Sequence, residues 1–167
     1  SCNAWLDVTP DNAIADDDLF STGFGYRNAL NGIYTNLASD ELYGKQLSWG
    51  FLSAISQQYN QKVGTISPMY ADASELIYNT VDTEPVVTAI WEKGYKVIAN
   101  LNKLIENILP TDISLFEYGE EEKKLIYAEA LSLRAMMHFD LLRLFAPAPA
   151  TNPSGTYLPY RDNCLLY

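Results

Sequence analysis

Aromatic rings crowd one irregular stretch of this chain, where Tyr43, Trp49, Phe51, Tyr59, Tyr70 and Tyr78 are interleaved with Ser, Gln, Asn and Gly. Such a mixture suits a sugar, whose C–H faces stack on a ring while amides and hydroxyls bind its edges. It also suits a core, because aromatic side chains are buried on average. Tyr59, Tyr70 and Tyr78, followed by Trp49, lie closest to turn-forming polar residues and off any clean helical stripe. These are the candidate ligand-binding residues.

Covalent chemistry finds less support. The single histidine, His138, has no serine or cysteine nucleophile spaced to form a triad with it. Cys2 and Cys164 stand at opposite ends and match no zinc or redox spacing, which needs ligands in close pairs. Asp16, Asp17 and Asp18 lack the glycine and distal glutamate of a calcium loop and read better as a helix start. Gly23-Phe24-Gly25 is too short for a phosphate loop. Two carboxylates for glycoside hydrolysis can meet from anywhere in a fold. Glu129 and Asp140, however, have a simpler role as ion-pair partners of Arg134 and Arg143. The expectation is a binding protein with no metal, no cofactor and no catalytic residue.

The elements that position these residues are helical. Over 121–145, Leu125, Ala128, Ala135, Phe139 and Leu142 fall on one line at helical spacing, with Ser132 filling the gap. Ile126, Ala130, Leu133, Met137, Leu141 and Leu144 make a second line beside it, so the pattern predicts a long interior helix covered on both faces. Arg134, Asp140 and Arg143 sit between the lines, where charge must be paired or kept wet. A second long helix is predicted over 85–109 from Val87, Trp91, Gly94, Ile98, Leu101, Ile105 and Ile108, ended by Pro110. The short connection over 111–119 forces the two into an antiparallel pair, with Trp91 and Phe139 expected in the shared core. Further helices are predicted over 22–39, with Gly32 as a close-packing point, and more briefly over 45–56 and 67–76.

The run AEALSLRAMMHFDLLRLF, followed by a proline-rich exit and YLPY, closely resembles the signature helix of the SusD-like (SusD/RagB) lipoproteins. The resemblance is carried by Glu129, Leu133, Arg134, Ala135, Phe139, Asp140, Leu141, Arg143 and Leu144 at fixed offsets; His138 departs from it, its counterpart usually being aromatic. What the resemblance implies is an all-α, tetratricopeptide-like helical stack with long irregular loops, binding a glycan without altering it. Its implied partners are an oligosaccharide or polysaccharide and a SusC-like TonB-dependent transporter in the bacterial outer membrane. The opening Ser-Cys-Asn-Ala-Trp-Leu-Asp-Val-Thr-Pro resembles the start of such lipoproteins, which makes Cys2 the expected lipid anchor and the membrane link, with Ser1 a precursor remnant. Residues 1–21 are then a tether and entry segment, and 22–167 the amino-terminal helical domain of a family whose members run on for longer.

Composition sets outer limits. Lys plus Arg number 11 against 21 for Asp plus Glu, and the net charge of −10 repels a nucleic-acid backbone. No apolar run of about 18 residues exists to span a bilayer as a helix. Two other readings stand beside glycan capture: a helical-repeat module whose ligand is another protein, and a glycan-cleaving enzyme with facing carboxylates in a cleft.

Overall fold

The computed structural model describes residues 16–59, 66–148, 150–152 and 154–164. The helices run in order α1 (Asp16–Leu19), α2 (Gly23–Leu37), α3 (Phe51–Ile55), α4 (Pro68–Ser74), α5 (Glu84–Ile108) and α6 (Gly119–Phe145), with a 3₁₀ turn at Ile113–Leu115. Helix and turn account for the regular structure, and no strand occurs among the described residues. Cys2 and the rest of the opening segment lie outside them.

Local chemistry sets the helix ends. Thr22 caps α2 in an extended conformation, its hydroxyl accepting from the Gly25 amide at 3.0 Å. Glu84 and Pro85 occupy the first turn of α5, where an acid suits the dipole and proline loses no bond. At its far end, Lys123 of α6 donates its ammonium to the carbonyls of Leu109 at 3.0 Å and Thr111 at 2.6 Å. At the start of α6, Glu122 reaches back to the Tyr118 amide at 3.1 Å and takes Arg27 of α2 at 2.7 Å. That guanidinium holds the Glu122 carboxyl below its usual range, with the Tyr118 bond adding to the effect.

α5 and α6 form the antiparallel pair, and their contacts fix its direction: Gly94 meets Leu141, Asn102 bonds Arg134, and the α5 terminus meets Lys123. Ile90, Val97, Ile98, Leu101, Leu104 and Ile108 from α5 pack with Ile126, Ala130, Met137 and Leu141 from α6, all essentially inaccessible. α2 lies across both helices through Tyr26, Leu30, Ile33 and Leu37. The Tyr26 hydroxyl fastens it, donating to the Asn107 carbonyl at 3.0 Å beside Thr111.

Two expectations about packing are corrected. The line Leu125, Ala128, Ser132, Ala135, Phe139 and Leu142 is exposed along its whole length, so α6 is covered on one face here. Phe139 is 57% exposed, with Arg143 above its ring at 5.4 Å, whereas Trp91 is half-buried against Phe145 at 4.9 Å. Apolar spacing reports what a face is made of and not what lies on it. Gly32 faces open space, while a Cβ on Gly94 would sit 3.1 Å from Leu141, so the close approach belongs to Gly94.

The predicted helix over 45–56 shortens to α3. Ahead of it, residues 39–50 coil in turns several of whose amides reach back five or six residues, as in Gly44 to Ser39, Gln46 to Asp40 and Leu47 to Leu42. A Cβ on Gly44 would lie 2.3 Å from the Ala38 carbonyl, which explains why that coil needs glycine.

The two glycines make opposite predictions. Gly32→Ala is expected to stabilise the chain by about 0.5–1 kcal/mol through helix propensity alone. Gly94→Val should cost roughly 1–3 kcal/mol by forcing the helices apart. Urea midpoints of the two variants check both signs.

Candidate functional site

Three of the four candidate rings come together. Trp49 is 56% exposed, and its indole N–H donates to the Gly44 carbonyl at 3.1 Å, which holds the ring against the coil with Lys45 5.6 Å from its centre. The Tyr59 hydroxyl donates to the Trp49 carbonyl, and the Tyr59 and Tyr70 rings lie 6.2 Å apart at 55°. The Tyr70 hydroxyl is buried and meets no hydrogen-bond partner among the described residues. Tyr78 stands apart. It packs on Phe51 at 6.0 Å and lines an apolar hollow of about 450 Å³ with Ile55, Val87, Ile90 and Leu144.

Beside Tyr59 lies a shallow polar hollow of about 570 Å³ lined by Gln57, Tyr59, Ser74, Glu75 and Leu76. Two of these residues have left-handed backbones, Gln57 at φ 55° and Leu76 at φ 61°. Each closes a helix in a Schellman cap: Gln57 and Gln58 donate to Ala54 and Ser53, and Leu76 and Ile77 donate to Ala73 and Asp72. Glycine is the usual residue there, so each cap carries a cost of about 1–2 kcal/mol, set on the rim of one hollow. Neither Gln57 nor Leu76 carries a sequence mark of this conformation, and the sequence reading missed both.

The acids of α6 hold the neighbouring elements. Glu129 accepts from the Tyr34 hydroxyl of α2 at 3.0 Å, and Asp140 accepts from the Tyr43 hydroxyl at 2.5 Å, which ties the aromatic coil to α6. Burial and that carboxylate raise the Tyr43 phenol well above its ordinary range. Asp140 also meets Arg143, three residues on, at 3.3 Å. Arg134 bonds uncharged oxygens in place of the expected carboxylate: the Asn102 side chain at 2.9 Å and the Asp162 carbonyl at 3.0 Å. The physical reason is supply, because Asn102 is the group that α5 buries opposite it, at 1% exposure.

Those bonds belong to a clamp. Side chains of α5 and α6 grip the backbone of residues 159–164: the Tyr95 hydroxyl donates to the Pro159 carbonyl, and the Asn102 amide donates to those of Arg161 and Asn163. Glu106 accepts from the Cys164 amide at 2.6 Å, and His138 Nε2 accepts from the Arg161 amide at 3.2 Å. From Tyr95 to Glu106 an α-helix rises about 16 Å. Residues 159–164 cover that distance at about 3.3 Å each, so the segment is extended. The His138 ring also stacks on Tyr160 at 4.5 Å. Burial pulls its pKa below the usual 6.5, a shift that the bond to the Arg134 carbonyl opposes.

Comparison with known proteins gives this geometry a setting. The SusD-like family described as starch-binding and associating with the outer membrane matches residues 4–160. Two curated relatives of Formosa agariphila, SusD-like protein P2 and SusD-like protein P25, are 23% identical over 86% of this chain and 26% identical over 89% of it. The chain covers 27% and 28% of their lengths, so it spans about a quarter of the relatives it matches. No solved structure matches it.

Two substitutions test the site's construction. Leu76→Gly is expected to raise stability by about 1 kcal/mol, by relieving the left-handed backbone; a lower melting temperature would show that the Leu76 side chain contributes more than its conformation costs. Arg134→Met strands the buried Asn102 oxygen and should cost about 1–3 kcal/mol. A loss of roughly 3–5 kcal/mol in denaturant titration would instead indicate a stranded buried charge.

Proposed function

This chain belongs to the SusD-like family, and from that membership we propose that it captures a glycan at the bacterial cell surface and hands it unaltered to a SusC-like TonB-dependent transporter. In this reading the chain is not an enzyme. Residues 22–167 are the amino-terminal helical domain of the longer protein, and residues 1–21 tether it to the outer membrane through a lipid on Cys2. The observation that carries the reading is the joined group of Trp49, Tyr59 and Tyr70, of which Tyr59 lines an open polar hollow. Tyr78 serves as a further stacking ring from the separate apolar hollow.

A helical-repeat module for protein partners is the second reading, and the exposed apolar line of α6 favours it. Phe139, Leu125 and Leu142 are 57%, 53% and 45% exposed along that line. Contiguous apolar surface of this kind marks association sites.

Sugar binding needs stacking rings and several fixed polar contacts together, and each immobilised group costs entropy, so part of a site gives far less than its share of affinity. The chain alone is therefore expected to bind soluble oligosaccharides weakly or not at all, and a polypeptide of the relatives' length to bind well. In that longer protein, Trp49→Ala or Tyr59→Ala should weaken binding roughly ten-fold, by loss of stacking and buried area. Calorimetric titration against an oligosaccharide panel decides. Micromolar binding by the chain alone would place the whole site within it, and a longer protein that binds no glycan would favour the second reading.

A further inference from the structure

His138 is where this chain departs from its family's signature, and its two nitrogens have assigned roles. Nε2 lies 3.2 Å from the Arg161 amide, which can only donate, so Nε2 must accept with its lone pair. Nδ1 lies 3.0 Å from the Arg134 carbonyl, which can only accept, so the imidazole proton sits there. Those two contacts specify one neutral tautomer. A second proton, taken from water by the Nε2 lone pair, would point at the Arg161 N–H and set two donors against each other.

We propose that His138 is a proton-sensitive latch: adding a proton at Nε2 releases residues 158–164 from the α5/α6 groove while the helices stay folded. The segment is suited to leave as a unit. Tyr160 is 68% exposed, and Arg161, Asp162 and Asn163 are exposed too, so departure uncovers little core beyond the face that Leu158 covers. Its attachments include the side-chain bonds of the clamp, which end on the segment's backbone, together with the Tyr160 ring on His138, the Cys164 thiol on the Ala99 carbonyl and Leu158 against the core. Release widens a cleft of about 560 Å³ lined by Tyr95, Asn102, Lys103, Glu106, Arg161 and Asn163.

The charges around the ring act in both directions. Arg134, on the same helix, opposes a second positive charge, while Asp162 of the segment favours it. Tyr95 and Glu106 of α5 hold the same segment farther along, and Arg161 contributes its backbone amide. Burial is the largest influence, and the net effect is a latched pKa below the free value of 6.5. A group whose folded pKa is lowered contributes stability that is fully present above the free value. That contribution is lost as pH falls from about 6.5 through the latched value, and the opening constant approaches a ten-fold rise per pH unit across the window.

The experiment is amide hydrogen exchange on the whole chain from about pH 7.5 to about pH 5, corrected for intrinsic rates, beside an NMR titration of the one histidine. The expected result is a titration midpoint below 6.5, with protection of the 158–164 amides falling in step with it. Protection in α2 and α5 should stay constant. His138→Gln, whose amide oxygen accepts at every pH, should remove the pH dependence. His138→Phe keeps a ring beside Tyr160 but no acceptor, and should leave the segment open throughout. Protection that ignores pH in the parent chain overturns the latch, as does loss that persists unchanged in His138→Gln. Loss shared equally by α2 and α5 overturns it as well, because it would mean global acid unfolding. Should neither variant fold, a parent midpoint at or above 6.5 would by itself contradict the proposal.

Discussion

The seam between α5 and α6 is the constraint on which the rest of the molecule depends. Long helices can lie this close only where a residue without a side chain faces a large one, as Gly94 faces Leu141. Once that contact fixes depth and register, Asn102 comes opposite Arg134, and Lys123 reaches the carbonyls at the end of α5. A one-turn slip would move each partner by about 5.4 Å and break every one of these bonds. α2 then takes its place by bonds that presuppose the seam: Tyr26 to the Asn107 carbonyl of α5, and Arg27 to Glu122 of α6. The extended segment 159–164 depends on it further, since α5 and α6 each supply part of the grip.

Much of this was legible in the sequence where a pattern has a physical cause. The stripe from Val87 to Ile108 and the breaker at Pro110 locate α5, whose described bounds are Glu84–Ile108. The inner line of α6, from Ile126 to Leu141, is buried as its spacing predicts. The outer line is apolar by the same measure and yet exposed, because periodicity describes one helix and says nothing of its neighbours. Three further features left little trace in residue type. Gln57 and Leu76 adopt left-handed conformations without being Gly or Asn. The turns over 39–50 mix amide bonds that reach back three, five and six residues, a mixture that no single apolar stripe encodes. The clamp on 159–164 acts on backbone atoms, which every residue possesses, so Asn102 reads in the sequence as an ordinary polar interruption of α5.

What the signature acids do in this chain bears on how the aromatic coil is held beside the seam. Glu129 and Asp140 were expected to neutralise arginines, and Asp140 does meet Arg143, but their shortest described bonds go to the phenols of Tyr34 and Tyr43. A phenol carries no charge, so these bonds avoid most of the desolvation cost of a buried ion pair while using the strength of a charged acceptor. They also reach farther, because Tyr34 and Tyr43 stand 95 and 97 residues earlier in the chain than the acids they meet. The Tyr43 bond fixes the start of the aromatic coil on α6, and Trp49 is fixed to that coil through Gly44. Tyr59 is then fixed to Trp49, and Tyr70 packs on Tyr59. A loop held only at its ends would lose the orientation of its rings to chain entropy. Here Trp49 and Tyr59 are tied to backbone carbonyls of the coil, Tyr70 packs on Tyr59, and Tyr43 is attached to a helix of the seam. Trp49 and Tyr59 can therefore stay exposed without having to be buried to be held in place, while Tyr43 and Tyr70 pack half-buried against the core.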